Sequence, residues 1–184
     1  HLKILYFFLE KFQICFSIAS SLHGIPRSTQ DVDIVASIGL EHLNFLLKCF
    51  SNDFYIESEM LEKAIKYRSS FNLIHLKTML KIDIFVLKTE LFFQNQITRR
   101  QSVIISEDPL RKLSVSSPED TILHKLRWFK MGGEVSERQW NDIRGVLKVK
   151  NTKLDFEYLK NNAKLLELSS LLDKALKESG LEHL

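Results

Sequence analysis

The chain is poor in the residues that punctuate or cross-link a fold. Its 184 residues include two cysteines, three prolines and six glycines. So few prolines and glycines exclude a low-complexity or disordered chain and favour long regular elements. Two cysteines exclude a disulfide scaffold, and without clustered histidines they exclude a zinc site. Cys15 and Cys49 lie in apolar surroundings, Ile14-Cys15-Phe16 and Lys48-Cys49-Phe50. Both are expected to be buried thiols, which suits a reducing, cytoplasmic setting. No apolar run reaches the ~18 residues that span a bilayer, so no membrane partner is expected. Leu2–Phe16 is apolar but is cut by Glu10 and Lys11, which argues against a signal peptide. Charge of one sign is also scarce. Lys and Arg number 26 against 23 Asp and Glu, a formal net charge of +3. That balance is compatible with a phosphate-bearing ligand without requiring one.

What the chain has is apolar mass. Hydrophobic residues make up 45% and include thirteen Phe, enough large groups for one domain, or a core with a small appendage. Leu2, Leu5, Phe8, Leu9 and Phe12 recur at helical spacing and predict a helix over residues 2–11. A short strand over Gln13–Phe16, a helical turn over Ser17–His23 and a strand over Gln30–Ala36 follow. Leu40, Leu43, Leu46, Leu47 and Phe50 predict the next helix, then a strand at Phe54–Glu57 and a helix at Met60–Tyr67. Phe71–Leu76 and Met79–Val86 are rich in β-formers, and Lys77-Thr78 between them suits a hairpin. A short helix near Thr89–Gln94 and a strand near Ser102–Ile105 complete the alternating part.

The character changes near residue 110. Ser117-Pro118-Glu119-Asp120 is a helix start, with Ser as N-cap and Pro at the first helical position. That helix is predicted to stop at Gly132-Gly133. Ser136-Glu137-Arg138-Gln139 opens another to about Val149, and Leu154–Leu166 and Ser169–Ser179 read as two more. The chain therefore divides into an α/β core over residues 1–110 and a helical subdomain over residues 111–184.

One short pattern asks for chemistry. On the strand over Gln30–Ala36, Asp31 and Asp33 lie on one face, because strand side chains alternate. Two neighbouring carboxylates repel and need a cation or a proton. In the later strand Lys81, Asp83 and Phe85 share a face, and a carboxylate in so apolar a segment also needs a partner. Plainer readings stand beside these. Asp83 can be the ion-pair partner of Lys81 or Arg99. Lys125 can snorkel from an apolar helix, and Asp142 can pair with Arg138 one turn away. His23 and His75 read as structural, and Trp128 and Trp140 as packing between helices.

A hydroxyl-bearing loop, Asp-x-Asp on a strand about ten residues later, and a third Asp on a further strand resemble the signature of the nucleotidyltransferase superfamily, whose core is like that of DNA polymerase beta. Here these are Ser17 or Ser20, Asp31 with Asp33, and Asp83. The run Ala19 to Asp33 looks like the bacterial branch that includes AbiEii-type toxins, as does Pro118-Glu119-Asp120 followed by Lys125 and Asp142. The resemblance covers roughly residues 14–145. It implies a mixed β-sheet flanked by helices, with a C-terminal helical segment packed on it. It also implies a transferase that moves a nucleoside monophosphate from an NTP to an acceptor hydroxyl. Asp31, Asp33 and Asp83 would be the catalytic carboxylates and would hold Mg²⁺ or Mn²⁺. Ser17, Ser20, Arg27, Lys125 and Asp142 would serve the nucleotide and its phosphates. The implied acceptor is an RNA or tRNA end, a protein side chain or a small molecule, and a toxin of this kind would have a cognate antitoxin. The family's first motif has a glycine before its Gly/Ser. Here Phe16 precedes Ser17 and Ala19 precedes Ser20, and Phe16 is expected to lack the backbone freedom of glycine. A catalytically degenerate binding or interaction module is the alternative this departure suggests.

Overall fold

The computed structural model describes residues 12–29 and 31–183. The helix predicted over residues 2–11 lies outside the described residues, as does Gln30. The fold is mixed α/β. Its described residues divide into two compact units: residues 12–15 with 29 and 31–115, and residues 16–28 with 116–183.

The first unit carries the seven strands of the described residues: β1 Phe12–Cys15, β2 Asp31–Ala36, β3 Phe54–Tyr55, β4 Ser70–His75, β5 Lys81–Val86, β6 Gln101–Glu107 and β7 Leu110–Val115. They form one mixed sheet in the order β3-β4-β5-β2-β1-β7-β6. β2 and β5 run parallel at its centre, and each has an antiparallel partner on its other side. Alternation within β5 sends Ile84 and Val86 into the core at 4% and 3% exposure, against Phe71 and Leu73 of β4. The opposite phase presents Lys81, Asp83 and Phe85. Helices α2 Leu43–Phe50, α3 Ser58–Tyr67 and α4 Leu91–Thr98 belong to the same unit, with a 3₁₀ turn at Leu40–His42 leading into α2.

The second unit is helical. It comprises α1 Phe16–His23, α5 Pro118–Met131, α6 Glu137–Lys150, α7 Phe156–Leu165 and α8 Ser169–Glu178. Its core is the apolar stripe of Ile122, Leu123 and Leu126 on α5 with Ile143, Val146 and Leu147 on α6, all at or below 1% exposure. The predicted caps are present. Ser117 Oγ accepts from the Asp120 N–H at 3.1 Å, and Ser136 Oγ accepts from the Gln139 N–H at 3.3 Å. The Asp120 carboxylate, fully buried, takes the Ser117 and Tyr158 hydroxyls at 2.8 and 2.7 Å. Gly24, just after α1, is a close approach: a Cβ there would lie 2.7 Å from the Val146 backbone nitrogen. Only glycine fits without backbone movement.

Three features depart from the sequence expectations. The sheet extends through β7 to Val115, five residues beyond the boundary read at 110. The residues of α1 cluster with the C-terminal helices rather than with the sheet. Cys15 is buried, but Cys49 is only half-buried; both are thiols, not halves of a disulfide. Among the described residues no helix is long and apolar enough to cross a membrane.

Two buried histidines give the helical unit an acid-sensitive core. Burial, helped by the nearby charge of Arg127, pushes His124 down to about 4. Burial also lowers His23, against the raising effect of its 2.7 Å contact with the Ser116 carbonyl. Both are therefore neutral at pH 7 in the folded chain. Between pH 6.5 and about 4 the unfolded chain binds protons that folded His124 does not, so stability is full above that window and is lost as pH falls through it. Denaturant unfolding at pH 7 and pH 4.5 is expected to show a loss of about 2–3 kcal/mol from this group, and His124→Leu is expected to flatten that dependence.

Candidate functional site

The residues singled out by sequence fall into two groups, one in each unit. The first group stands on the central strands. The parallel register of β2 and β5 sets Asp31 beside Lys81 and Asp33 beside Asp83. Side chains in register on neighbouring strands point to the same face, so Asp31, Asp33 and Asp83 share one side of the sheet. They sit toward the strand starts, where β2 grades from exposed Asp31 to buried Val35 and Ala36. β1 extends the row, because Cys15 faces Asp33, and its thiol reaches the Asp33 carbonyl at 3.5 Å. β4 extends it on the other side, because Asn72 faces Asp83. The row Cys15, Asp33, Asp83, Asn72 thus crosses four strands.

Lys81 enters this carboxylate face. Its Nζ lies 2.9 Å from Asp83 Oδ1, with the lysine 45% and the aspartate 24% exposed. Its pKa is raised, first by the hydrogen bond to Asp83, against the lowering effect of burial, with the charges of Asp83, Asp31 and Asp33 adding to the rise. All three carboxylates therefore act on one ammonium. In this arrangement no three His, Cys, Asp or Glu side chains among the described residues converge closely enough to hold a metal ion. The donor set suits a hard cation in kind, being carboxylate oxygen. Asp83 is engaged by lysine instead.

The second group lies within the helical unit. Arg27 holds Asp142 bidentately, with Nε to Oδ1 and a terminal nitrogen to Oδ2, both at 2.7 Å. The same terminal nitrogen donates to Ser17 Oγ at 3.2 Å. Lys125, 1% exposed, puts Nζ 2.8 Å from Asp142 Oδ2. Burial pushes the Asp142 carboxyl up, but the hydrogen bonds and charges of Arg27 and Lys125 outweigh it and hold it below its ordinary value. Lys125 is thus a buried member of a charge network, not a snorkelling side chain, and Asp142 takes Arg27 and Lys125 as its partners. Ser20 is 2% exposed, and its hydroxyl donates back to the Ser17 carbonyl at 3.0 Å. Ser17, Ser20, Arg27, Lys125 and Asp142 are all in this unit.

Phe16 corrects one expectation. Its φ is +52°, in the left-handed region that favours glycine. The backbone at the position before Ser17 therefore takes a glycine-like conformation although the residue is phenylalanine. The ring accounts for this. Phe16 is buried, at 8% exposure, and its ring packs edge-on against His124 at 5.2 Å and Trp128 at 6.0 Å. Trp140 lies on Phe129 at 4.9 Å, with its N–H bonded to Glu178, which fits the packing role read for it. His75 bonds Thr78 Oγ1 in the β4–β5 turn at 2.8 Å.

Asn72 is the site neighbour that residue-by-residue reading passes over. The signal for it is the hairpin. A hairpin turn centred on Lys77-Thr78 makes paired residue numbers sum to 155, and Asn72 opposite Asp83 obeys that sum.

Three substitutions test the helical group. Asp142→Asn leaves the buried Lys125 ammonium without its carboxylate and is expected to cost about 3–5 kcal/mol in chemical unfolding at pH 7. Lys125→Met leaves the Arg27–Asp142 pair intact and is expected to cost at most about 1 kcal/mol. The wild-type advantage over Asp142→Asn is present above pH 3.8, the ordinary carboxyl value, and is lost as pH falls through the lowered folded value. Phe16→Gly relieves about 1–2 kcal/mol of left-handed strain but forfeits about 3 kcal/mol or more of ring packing. A net loss of about 2 kcal/mol is expected, and a gain in stability would show the ring to contribute little.

No protein-family model and no curated protein matches this chain. Among solved structures, it is similar to an antigenic nucleotidyltransferase-like protein from Paracoccidioides brasiliensis, at 18% identity and a TM-score of 0.46, over 90% of this chain and 84% of that one. It is also similar to a nucleotidyltransferase candidate from Thermotoga maritima, at 15% identity and a TM-score of 0.44, over 76% of this chain and 91% of that one.

Proposed function

We propose that the chain is a nucleotidyltransferase that moves a nucleoside monophosphate from an NTP to an acceptor hydroxyl. The observation that carries this reading is the register of β2 with β5, which sets Asp33 against Asp83 with Asp31 on the same face. Three carboxylates gathered on neighbouring strands repel one another unless a cation joins them. Asp31 and Asp33 would hold Mg²⁺ or Mn²⁺, and Asp83 would complete the set. A divalent ion in such a site neutralises phosphate charge and lowers the pKa of a bound hydroxyl. The acceptor oxygen bonds to the α-phosphorus, the bond to pyrophosphate breaks, and the acceptor proton leaves to solvent or to Asp83.

The phosphate contacts proposed for Ser17, Ser20, Arg27, Lys125 and Asp142 belong to the helical unit. Arg27 is the strongest of these, since its side chain is 24% exposed while that of Lys125 is 1% exposed. In the toxin-like form of the reading the acceptor is a tRNA or other RNA end, and a cognate antitoxin restrains the enzyme. A second reading, a nucleotide-binding module without catalysis, draws on the engagement of Asp83 by Lys81.

The assay is incubation with Mg²⁺ and each labelled NTP, with and without total tRNA. Wild type is expected to transfer label, and Asp31→Ala/Asp33→Ala to lose it by about 10³-fold or more, the scale on which removing key electrostatic groups acts. Nucleotide-induced thermal stabilisation without transfer would favour the binding module. Neither transfer nor stabilisation would overturn both readings.

A further inference from the structure

We propose that β6 is the edge through which two copies of this chain associate: it pairs antiparallel with the β6 of a second copy about a two-fold axis at Ile104, joining two sheets into one. The pairing depends neither on the carboxylate face nor on nucleotide.

Among the described residues β6 ends the sheet, with β7 on one side of it. β7 in turn is in register with β1 at Ile14 and Val115 alone. Most of β6 and β7 is therefore a two-stranded ribbon. Such a ribbon is marginal by itself in water, and its outer edge offers backbone N–H and C=O groups to another strand. Natural edges are commonly guarded by a lysine, a proline or an inward charge at their centre. The centre of this one is Val103-Ile104-Ile105, and Ile104 and Ile105 are 54% and 49% exposed. A bulge between Ile104 and Ser106 interrupts the ladder to β7. Bulges also blunt edges, but this one presents an isoleucine, Ile105, that pairs with no residue of β7.

The sequence of the edge matches itself. Antiparallel pairing about Ile104 sets Ile104 on its own copy, Val103 on Ile105, Ser102 on Ser106, Gln101 on Glu107 and Arg100 on Asp108. Apolar side chains meet apolar ones, hydroxyl meets hydroxyl, and each carboxylate meets an amide or a guanidinium. Like charges are nowhere opposed, which is what stabilises cross-strand pairs. Every unlike contact occurs twice, as a two-fold interface requires. Parallel pairing in the same register would instead set Glu107 on Glu107 and Asp108 on Asp108. Charge complementarity thus selects a second copy, and selects the antiparallel direction.

The test is sedimentation velocity of the full chain across concentration, with cysteine cross-linking to fix the register. An edge-to-edge interface is small, so wild type is expected to pass from monomer to dimer over about 1–100 µM. Ile104→Lys brings two ammonium groups together at the axis and is expected to weaken association by about tenfold or more. Ile104 is exposed in the single chain, so the circular dichroism of this variant is expected to match wild type. Opposed Cα atoms of an antiparallel pair lie about 4.5–5.5 Å apart, within disulfide reach, so Ile104→Cys is expected to cross-link on oxidation. That cross-linking should exceed whatever Cys15 and Cys49 give in wild type. Ser102→Cys is the control, because its two copies would stand about 13 Å apart along the ladder and stay unlinked. A dimer that survives Ile104→Lys, or that does not cross-link in Ile104→Cys, pairs elsewhere and would overturn the proposal. Monomer throughout the range would overturn it too, in favour of nucleic acid if total tRNA then protected the β6 amides from hydrogen exchange.

Discussion

The pairing of Asp33 with Asp83 across two central parallel strands is the constraint on which the functional account depends. Neighbouring strands lie about 4.8 Å apart. At an effective dielectric of about 20, two unit charges about 5 Å apart repel by about 3 kcal/mol before solvent screening. Asp31 adds a third charge on the same face. Lys81, half-exposed and 2.9 Å from Asp83, offsets up to about 1 kcal/mol of this. The apolar contacts of Ile84, Val86, Phe71 and Leu73 build the core on the opposite face.

The helical unit manages charge in the other direction. Asp142 is 6% exposed at its side chain and is held by two cations. The bidentate Arg27 contact fixes the segment after α1 to α6. The close backbone approach at Gly24 pins the same two elements a few residues earlier. Backbone, ring packing and ion pairing thus agree on one local arrangement around the serine-rich turn. Phe16 is part of this agreement, because its strained φ is tolerated only while its ring is packed.

Much of this was legible in the sequence, and the reasons differ by feature. The Asp-x-Asp strand, the apolar alternation around Asp83 and the Ser117 and Ser136 caps depend on local spacing, which sequence carries directly. Even the Asn72–Asp83 register follows from the length of a turn. β7 was illegible because Leu110-Arg111-Lys112-Leu113-Ser114-Val115 has too few apolar residues to show a period, and the sheet, not the sequence pattern, makes it a strand. The Arg27–Asp142 pair joins residues 115 apart. Spacing along α6 offered only the local partner Arg138, and nothing local could reveal Arg27. The left-handed backbone at Phe16 was hidden for a similar reason: residue type predicts an ordinary φ, and long-range ring packing decides otherwise.

The account comes down to whether a divalent ion sits on the carboxylate face. Anomalous diffraction from crystals soaked in Mn²⁺ measures this directly. The predicted result is a manganese peak within ligand distance of Asp31, Asp33 and Asp83. Manganese absent from that face at saturating metal would contradict the proposed function.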